Sequence, residues 1–219
     1  METMLLEMTD AAAARAEERA APDLFTKTGE RIAVANVLLE AAGLFTDCLA
    51  LVAPDVHRRT VRITGLVSAM AERLGLEERW EFEVAARLSQ IGCLSLAPDE
   101  RAAAAGTGPS EDTERAFASH PLVGRDLLTR VRRLAAVREM VARQREMHAF
   151  DPAEGEGART RDRVALGAQL LHVAVDADGL LGAGLPEAAV AAALCGRPGE
   201  YDPEVLAALA AVIQMPRAA

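Results

Sequence analysis

The sequence predicts an all-α protein, and the reason lies in its composition. Of the 219 residues, 51% are hydrophobic, enough to bury a sizeable core, and only 3% are aromatic. Ala, Leu and Val dominate the hydrophobic set, and no alternating run of β-branched residues extends beyond a few positions. Such a mixture favours helices over sheets. A chain of this length fits one large domain, or one domain with an appendage.

Proline, glycine and polar capping residues predict where the helices begin and end. An Ala-rich helix at 1–22 precedes a linker, so we predict an N-terminal helical extension at 1–29 and a helical domain at 30–219. Asp55 is a plausible N-cap, and His120-Pro121 ends one helix and begins the next, since proline is tolerated in a first turn. The predicted helices of the domain are 30–53, 55–74, 77–94, 110–120, 121–133, 135–148, 161–181, 186–195 and 203–214, with a loop at 150–158.

Charge and cysteine usage exclude several classes of function. The formal net charge is −9, whereas duplex binding needs a basic face that displaces counterions. The basic cluster from Arg125 to Arg145 is interpreted as a solvated helix face, so we expect no nucleic-acid partner. Cys48, Cys93 and Cys195 lie far apart without a C-x-x-C pair, which fits a reducing cytoplasm and argues against structural zinc.

No membrane association is predicted. The first ten residues contain acidic side chains instead of a basic region before an apolar one, so they do not form a signal peptide. The most apolar segment, 32–53, is long enough to cross a bilayer, but its Asn36, Glu40 and Asp47 are costly in hydrocarbon. We therefore expect a buried helix in a cytoplasmic protein.

Short motifs follow one another at characteristic distances. His57 lies 32 positions before Ser89, and Gln144-Arg145-Glu146 begins 24 positions after His120-Pro121. Later motifs are Leu166-Gly167-Ala168, Val173-Ala174-Val175, Asp178-Gly179-Leu180 and Tyr201-Asp202-Pro203-Glu204-Val205. Over residues 30–212 this order resembles the HD-GYP branch of the HD-domain phosphohydrolases. The resemblance implies an HD-type helical bundle, from a family of cytoplasmic bacterial domains that hydrolyse cyclic di-GMP with bound metal ions.

The departures from that family fall on its metal-binding positions. Only His57 and His120 keep a residue that binds transition metals; Ser, Gln and Val are poor ligands compared with imidazole and carboxylate. The positions that form the vestigial pocket are His57, Ser89, Gln90, Cys93 (where the family has lysine), His120, Gln144, Arg145, Val175 and Asp178. The segment after Glu146 contains no Gly-Tyr-Pro. We therefore predict no catalytic residues, no metal and no other cofactor.

Some residues of the vestigial pocket have more than one interpretation. Arg145 replaces a metal ligand, and its guanidinium is a candidate anion-binding group; alternatively it turns to solvent or pairs with Glu146 or Asp178. Cys93 is a small buried residue or a reactive thiol. His148 and His172 lie outside the family pattern and are interpreted as surface or hydrogen-bonded core residues.

The predicted function is a catalytically inactive HD-GYP-like module in bacterial cyclic-dinucleotide signalling, which binds a nucleotide or a protein partner. One alternative is a divergent phosphohydrolase with a reduced metal site on His57 and His120; another is a structural dimerisation domain. We expect a homodimer through helix 30–53. Its first apolar line follows coiled-coil spacing at Val34, Leu38, Ala41, Phe45, Cys48 and Val52, and its second contains Val37, Leu44 and Leu51. The other possibility is that both lines are buried within one chain.

Overall fold

The protein folds into α-helices, as the sequence predicts. The computed structural model describes residues 29–98, 100–101, 111–148 and 162–214, and within those ranges it contains no β-strand. The helices are α1 (Gly29–Val52), α2 (Pro54–Arg73), α3 (Trp80–Leu88), α4 (Glu111–Leu128), α5 (Ala135–Ala142), α6 (Arg163–Gly182), α7 (Glu187–Cys195) and α8 (Pro203–Gln214). Two 3₁₀ helices occupy Ile91–Ser95 and Arg132–Leu134. The predicted helix 1–22 and loop 150–158 lie outside the described residues.

The chain divides into two compact units, Met1–Glu40 and Ala41–Ala219. The described part of the first unit, 29–40, is helical and forms the beginning of α1. The second unit contains the rest of α1 and every other helix. All sites discussed below lie within this second unit.

Helix α6 is the central element of the second unit. It contacts α2, α3, α5, α7 and α8, and most of its residues from Leu166 to Asp178 are buried. A helix that is apolar around its whole circumference is normally a core helix.

By length and composition α1 and α6 are both long and apolar enough to cross a membrane. In α6, however, 67% of the most apolar 18-residue window is buried inside the protein.

Helix α1 is much less buried than predicted. Only 22% of its apolar window is buried. Within residues 41–52 the buried side chains are Ala42, Thr46 and Leu49, and Leu49 belongs to a core cluster against which Phe45 packs. The prediction of a buried helix is therefore wrong for the face of α1 opposite to these buried residues. On that face the side chains of Leu44 and Leu51 are 67% and 85% exposed.

The start of α2 differs from the prediction. Ala53 precedes the helix as its N-cap, and Pro54 is in the first turn, where its missing N–H costs no hydrogen bond. Asp55 is therefore not the cap. It lies in the first turn, where a carboxylate is stabilised by the helix dipole, and it pairs with Arg101 at 3.2 Å.

The prediction that His120-Pro121 separates two helices is wrong, because α4 continues through Pro121. A proline inside a helix leaves the carbonyl four residues earlier without its N–H partner. Here that carbonyl belongs to Phe117, and it accepts a hydrogen bond from Nδ1 of His120 at 2.6 Å. The histidine thus replaces the lost donor, which explains why the helix tolerates the proline.

The predicted helix 77–94 is interrupted. Helix α3 ends at Leu88, and Ile91–Ser95 forms a 3₁₀ helix that packs against α4. The contact is very close: a Cβ on Gly92 would lie 1.9 Å from the carbonyl oxygen of His120 and 2.9 Å from the amide nitrogen of Gly124. Helix α5 is also shorter than predicted and ends at Ala142, which leaves Gln144 and Arg145 in the following turn.

Candidate functional site

Three residues of the vestigial pocket meet in the interior of the protein and form a hydrogen-bonded polar network. Ser89 and Gln90 follow α3, Gln144 follows α5, and all three are fully buried. The amide nitrogen of Gln144 donates to the carbonyls of Ser89 (3.1 Å) and Val141 (2.9 Å). The amide nitrogen of Gln90 donates to Oε1 of Gln144 (3.4 Å) and to Oγ of Ser89 (3.3 Å). Each buried amide therefore has partners, as buried polar groups require.

This network does not fit a metal centre. Its members are uncharged, and an amide nitrogen that donates protons cannot coordinate a cation. The Oε1 atom of Gln90 faces the thiol of Cys93, which donates to it at 3.7 Å. Burial raises the pKa of Cys93 to about 12, so the thiol stays protonated, which favours the small buried residue over the reactive thiol.

His120 keeps one feature of a metal ligand. Its ring is fully buried, and because Nδ1 donates to the Phe117 carbonyl, Nε2 carries the lone pair. That Nε2 atom has no hydrogen-bond partner in the described part of the chain. Burial is the main reason that the pKa of His120 falls to about 4, and the Arg59 and Arg145 charges lower it further. The imidazole is therefore neutral near pH 7.

His57 does not complete a site with His120. It is half-buried, and it does not line the cavity described below. Among the described residues, no cluster of three or more histidine, cysteine, aspartate or glutamate ligands includes either histidine. Since a transition-metal site generally needs at least three protein ligands, the two histidines by themselves do not make one.

A cavity of about 750 Å³ lies beside the network, and Gln90, Cys93, Arg145, Val175 and Asp178 line it together with residues of α2 and α6. Its charged groups are predominantly arginines: Arg58, Arg59, Arg62, Arg101, Arg145 and Arg197, against the carboxylates Asp55, Asp176, Asp178 and Glu200. Apart from Arg145, these arginines were not predicted from the sequence as part of the site, although Arg58 and Arg62 stand four residues apart and so share a face of α2.

Asp178 is shared by two of these arginines. It is 3% exposed, and its carboxylate accepts two hydrogen bonds from Arg62, at 2.5 Å and 3.2 Å, and lies 3.4 Å from Nε of Arg59. Burial lowers the pKa of Arg59 and Asp178 opposes that effect. The buried Nε atom of Arg59 has no hydrogen-bond partner in the described residues. Two cations thus face one anion at the cavity wall.

Arg145 lies at the cavity wall and is exposed. The sequence offered Glu146 and Asp178 as alternative ion-pair partners, and neither of them pairs with Arg145. Glu146 pairs with Arg143 at 2.6 Å, and Asp178 pairs with Arg62 and Arg59. Arg145 makes no ion pair with any carboxylate that the structure describes, so its guanidinium is available to a ligand in the cavity.

Comparisons with known proteins give a matching family model and a similar solved fold. The model of the HD domain matches residues 43–205. Among solved structures, the chain is similar to Bd1817, an HDG"Y"P protein from Bdellovibrio bacteriovorus, with a TM-score of 0.58 and 20% sequence identity; the match covers 83% of this chain and 64% of that one. The chain therefore spans less than two thirds of that protein. No curated protein matches significantly.

Proposed function

Since the chain belongs to the HD-domain family, a family of phosphohydrolases, we propose that it is a catalytically inactive, HD-GYP-like member that acts by binding. In this proposal the protein is a cytoplasmic module in signalling by cyclic dinucleotides. The observation that carries the proposal is the network of Ser89, Gln90 and Gln144, whose polar groups are engaged with one another where the family has metal ligands. Without those ligands the residues cannot generate a metal-bound hydroxide near neutral pH.

The proposed ligand is an anion with a phosphate group, such as a nucleotide or cyclic dinucleotide. Six arginines and four carboxylates line the cavity. Arginine is the side chain best suited to bidentate phosphate contacts. Arg58 and Arg145 make no ion pair with a described carboxylate, and both reach the cavity. A phosphate bound to either of them would neutralise part of the excess positive charge.

A thermal-shift screen of purified protein with cyclic dinucleotides and guanine nucleotides tests this function. The best ligand is then titrated against Arg145→Ala, for which we expect tenfold to hundredfold weaker binding, because an Arg–phosphate contact contributes about 1.5–3 kcal/mol. Arg143→Ala is the matched control, since Arg143 stands two residues earlier, pairs with Glu146 and does not line the cavity. Equal affinity in Arg145→Ala and wild type would contradict the assignment of Arg145.

Metal analysis distinguishes this proposal from a phosphohydrolase with a reduced metal site on His57 and His120. After purification from medium supplemented with manganese or iron, we expect wild type and the His57→Ala, His120→Ala double variant to have the same metal content, because two histidines do not supply enough ligands for a site of their own. One equivalent that is lost in the His57→Ala, His120→Ala double variant would instead support the phosphohydrolase.

A structural role as a dimerisation domain is a second candidate, favoured by the exposed face of α1. Ala41, Leu44, Cys48 and Leu51 follow one another in steps of three, four and three, and all four are exposed. This is the spacing of a coiled-coil seam. A second copy of the same helix would cover the face, and binding and dimerisation are compatible in one protein.

A further inference from the structure

A second cluster of potential ligands lies on the cavity wall, away from the family's metal positions. His172 and Asp176 are one turn apart on α6, and Glu200 lies between α7 and α8. Nε2 of His172 is 3.7 Å from Oδ2 of Asp176 and 4.0 Å from Oε1 of Glu200, and the three ligand atoms lie within 4.8 Å of one another. Ligands at about 2.0–2.2 Å from one cation in tetrahedral geometry lie about 3.3–3.6 Å apart, so these three atoms are somewhat farther apart than coordinated ligands and would close around an ion.

The orientation of His172 is that of a metal ligand. Its Nδ1 lies 3.0 Å from the carbonyl oxygen of Glu146 and donates to it, so Nε2 carries the lone pair and faces the two carboxylates. Metal-binding histidines are commonly fixed in this way by a carbonyl behind the ring. The side chain is 6% exposed, and burial holds the pKa of His172 below its ordinary value. Three potential electron-pair donors thus converge at one point of the cavity wall.

A guanidinium currently balances the two carboxylates. Nη1 of Arg197 lies 3.4 Å from Asp176, 3.6 Å from Glu200 and 3.0 Å from the hydroxyl of Tyr201, which in turn donates to Asp176 at 2.6 Å. Among the described residues Arg197 donates no hydrogen bond to His172, whose Nε2 atom faces the two carboxylates. The side chain of Arg197 is 43% exposed, so it borders solvent on one side.

We propose that His172, Asp176 and Glu200 form a binding site for a divalent transition-metal cation, and that Arg197 occupies this position when no metal is bound. One imidazole and two carboxylates suit zinc, manganese, iron and cobalt. A metal entering the site displaces Arg197 towards solvent. The site differs from the vestigial one, which has Ser89, Gln90 and Gln144 in place of ligands, and it depends neither on nucleotide binding nor on catalysis.

Cobalt titration of the metal-free full-length protein tests this site, with visible absorption of the bound ion as the readout. Arg197→Gln removes the competing cation, and we expect it to raise the affinity for Co²⁺ about tenfold to a hundredfold over wild type. Adding His172→Ala or His172→Gln to Arg197→Gln is expected to abolish the gain. Arg125→Gln is the matched control, because Arg125 pairs with Asp126 on α4 and does not line the cavity, and the cobalt affinity of this variant should remain that of wild type.

Three results would overturn the proposal: equal affinity in wild type and Arg197→Gln, cobalt binding that survives both His172 substitutions, or no binding in any variant. The Gln substitution retains an amide donor for the Glu146 carbonyl, so it guards against a folding defect in His172→Ala. Thermal unfolding of each variant in the absence of metal confirms that the fold is intact before titration.

Discussion

At the scale of single residues, His120 owes its tautomer to the proline that follows it. Pro121 has no N–H, so the Phe117 carbonyl accepts from Nδ1 of His120 instead. The ring also stacks beside Phe117, with centroids 4.5 Å apart. Burial holds the imidazole neutral in the core, and its Nε2 lone pair has no partner among the described residues.

His120 should make the stability of the protein depend on pH. Its folded pKa is about 4, below an unfolded value near 6.5, so the unfolded chain binds the proton more readily. The free energy of unfolding should therefore be highest above pH 6.5 and decrease as the pH falls towards 4, by up to about 3 kcal/mol from this group. Denaturant unfolding at a series of pH values measures the slope.

The His120→Gln variant provides the comparison for that slope. A glutamine retains a donor for the Phe117 carbonyl but does not titrate, so its stability should vary less between pH 4 and 6.5 than that of wild type. Direct NMR titration of the His120 ring gives the pKa itself. An imidazole that titrates near 6.5 in the folded protein would contradict the proposed burial and neutrality of His120.

At the scale of elements, the 3₁₀ helix Ile91–Ser95 and α4 come close enough that only glycine fits between them. A Cβ on Gly92 would lie 1.9 Å from a backbone oxygen of His120, and a backbone atom cannot move aside as a flexible side chain can. Gly92→Ala should therefore destabilise the protein by about 3 kcal/mol or more, at or above the upper end for overpacking. Chemical denaturation with a two-state fit measures this change.

Gly65 provides the matched control, because it is an exposed glycine inside α2 with nothing within 4 Å of a built Cβ. Gly65→Ala should stabilise the protein by about 0.5–1 kcal/mol, since alanine is the better helix former. The two identical substitutions thus have opposite expected signs. If Gly92→Ala is as stable as wild type, α4 and the 3₁₀ helix do not pack this closely.

At the scale of the whole molecule, the exposed face of α1 predicts a homodimer. Leu44→Asp combined with Leu51→Asp should give a folded monomer by light scattering, because the two leucines are 67% and 85% exposed and lie on the proposed seam. Phe45→Asp is unsuitable, since Phe45 packs against a core cluster that contains Leu49. Val61→Asp, at an exposed apolar position of α2, is the control and should leave the dimer intact.

Disulfide cross-linking tests the same interface independently. Cys48 lies on the seam and is an exposed free cysteine, as is Cys195. In a Cys195→Ser background, a parallel in-register pair would bring two copies of Cys48 within disulfide distance. A wild-type protein that stays monomeric at high micromolar concentration would refute the dimer.

The sequence by itself determined the fold class and most helix positions. Helix α8 occupies Pro203–Gln214, the predicted 203–214, because a helix start at proline and an apolar repeat are local signals. The residue types at the five positions where the resemblance predicts metal ligands were also visible in the sequence. Where prediction failed, as at Pro121, a side chain supplied a hydrogen bond that local propensity does not include.

Only the tertiary structure decided which polar groups meet. Asp178 pairs with Arg62, 116 residues away in the chain. Glu200, which lies between α7 and α8, comes within 4.0 Å of His172 on α6. The cavity and its arginines arise because α2 and α6 pack side by side. Charge pairing between distant residues depends on how helices pack, and a local pattern of residues carries no information about a partner on another helix. The candidate site is therefore a property of the packed molecule, whereas its helices are properties of the sequence.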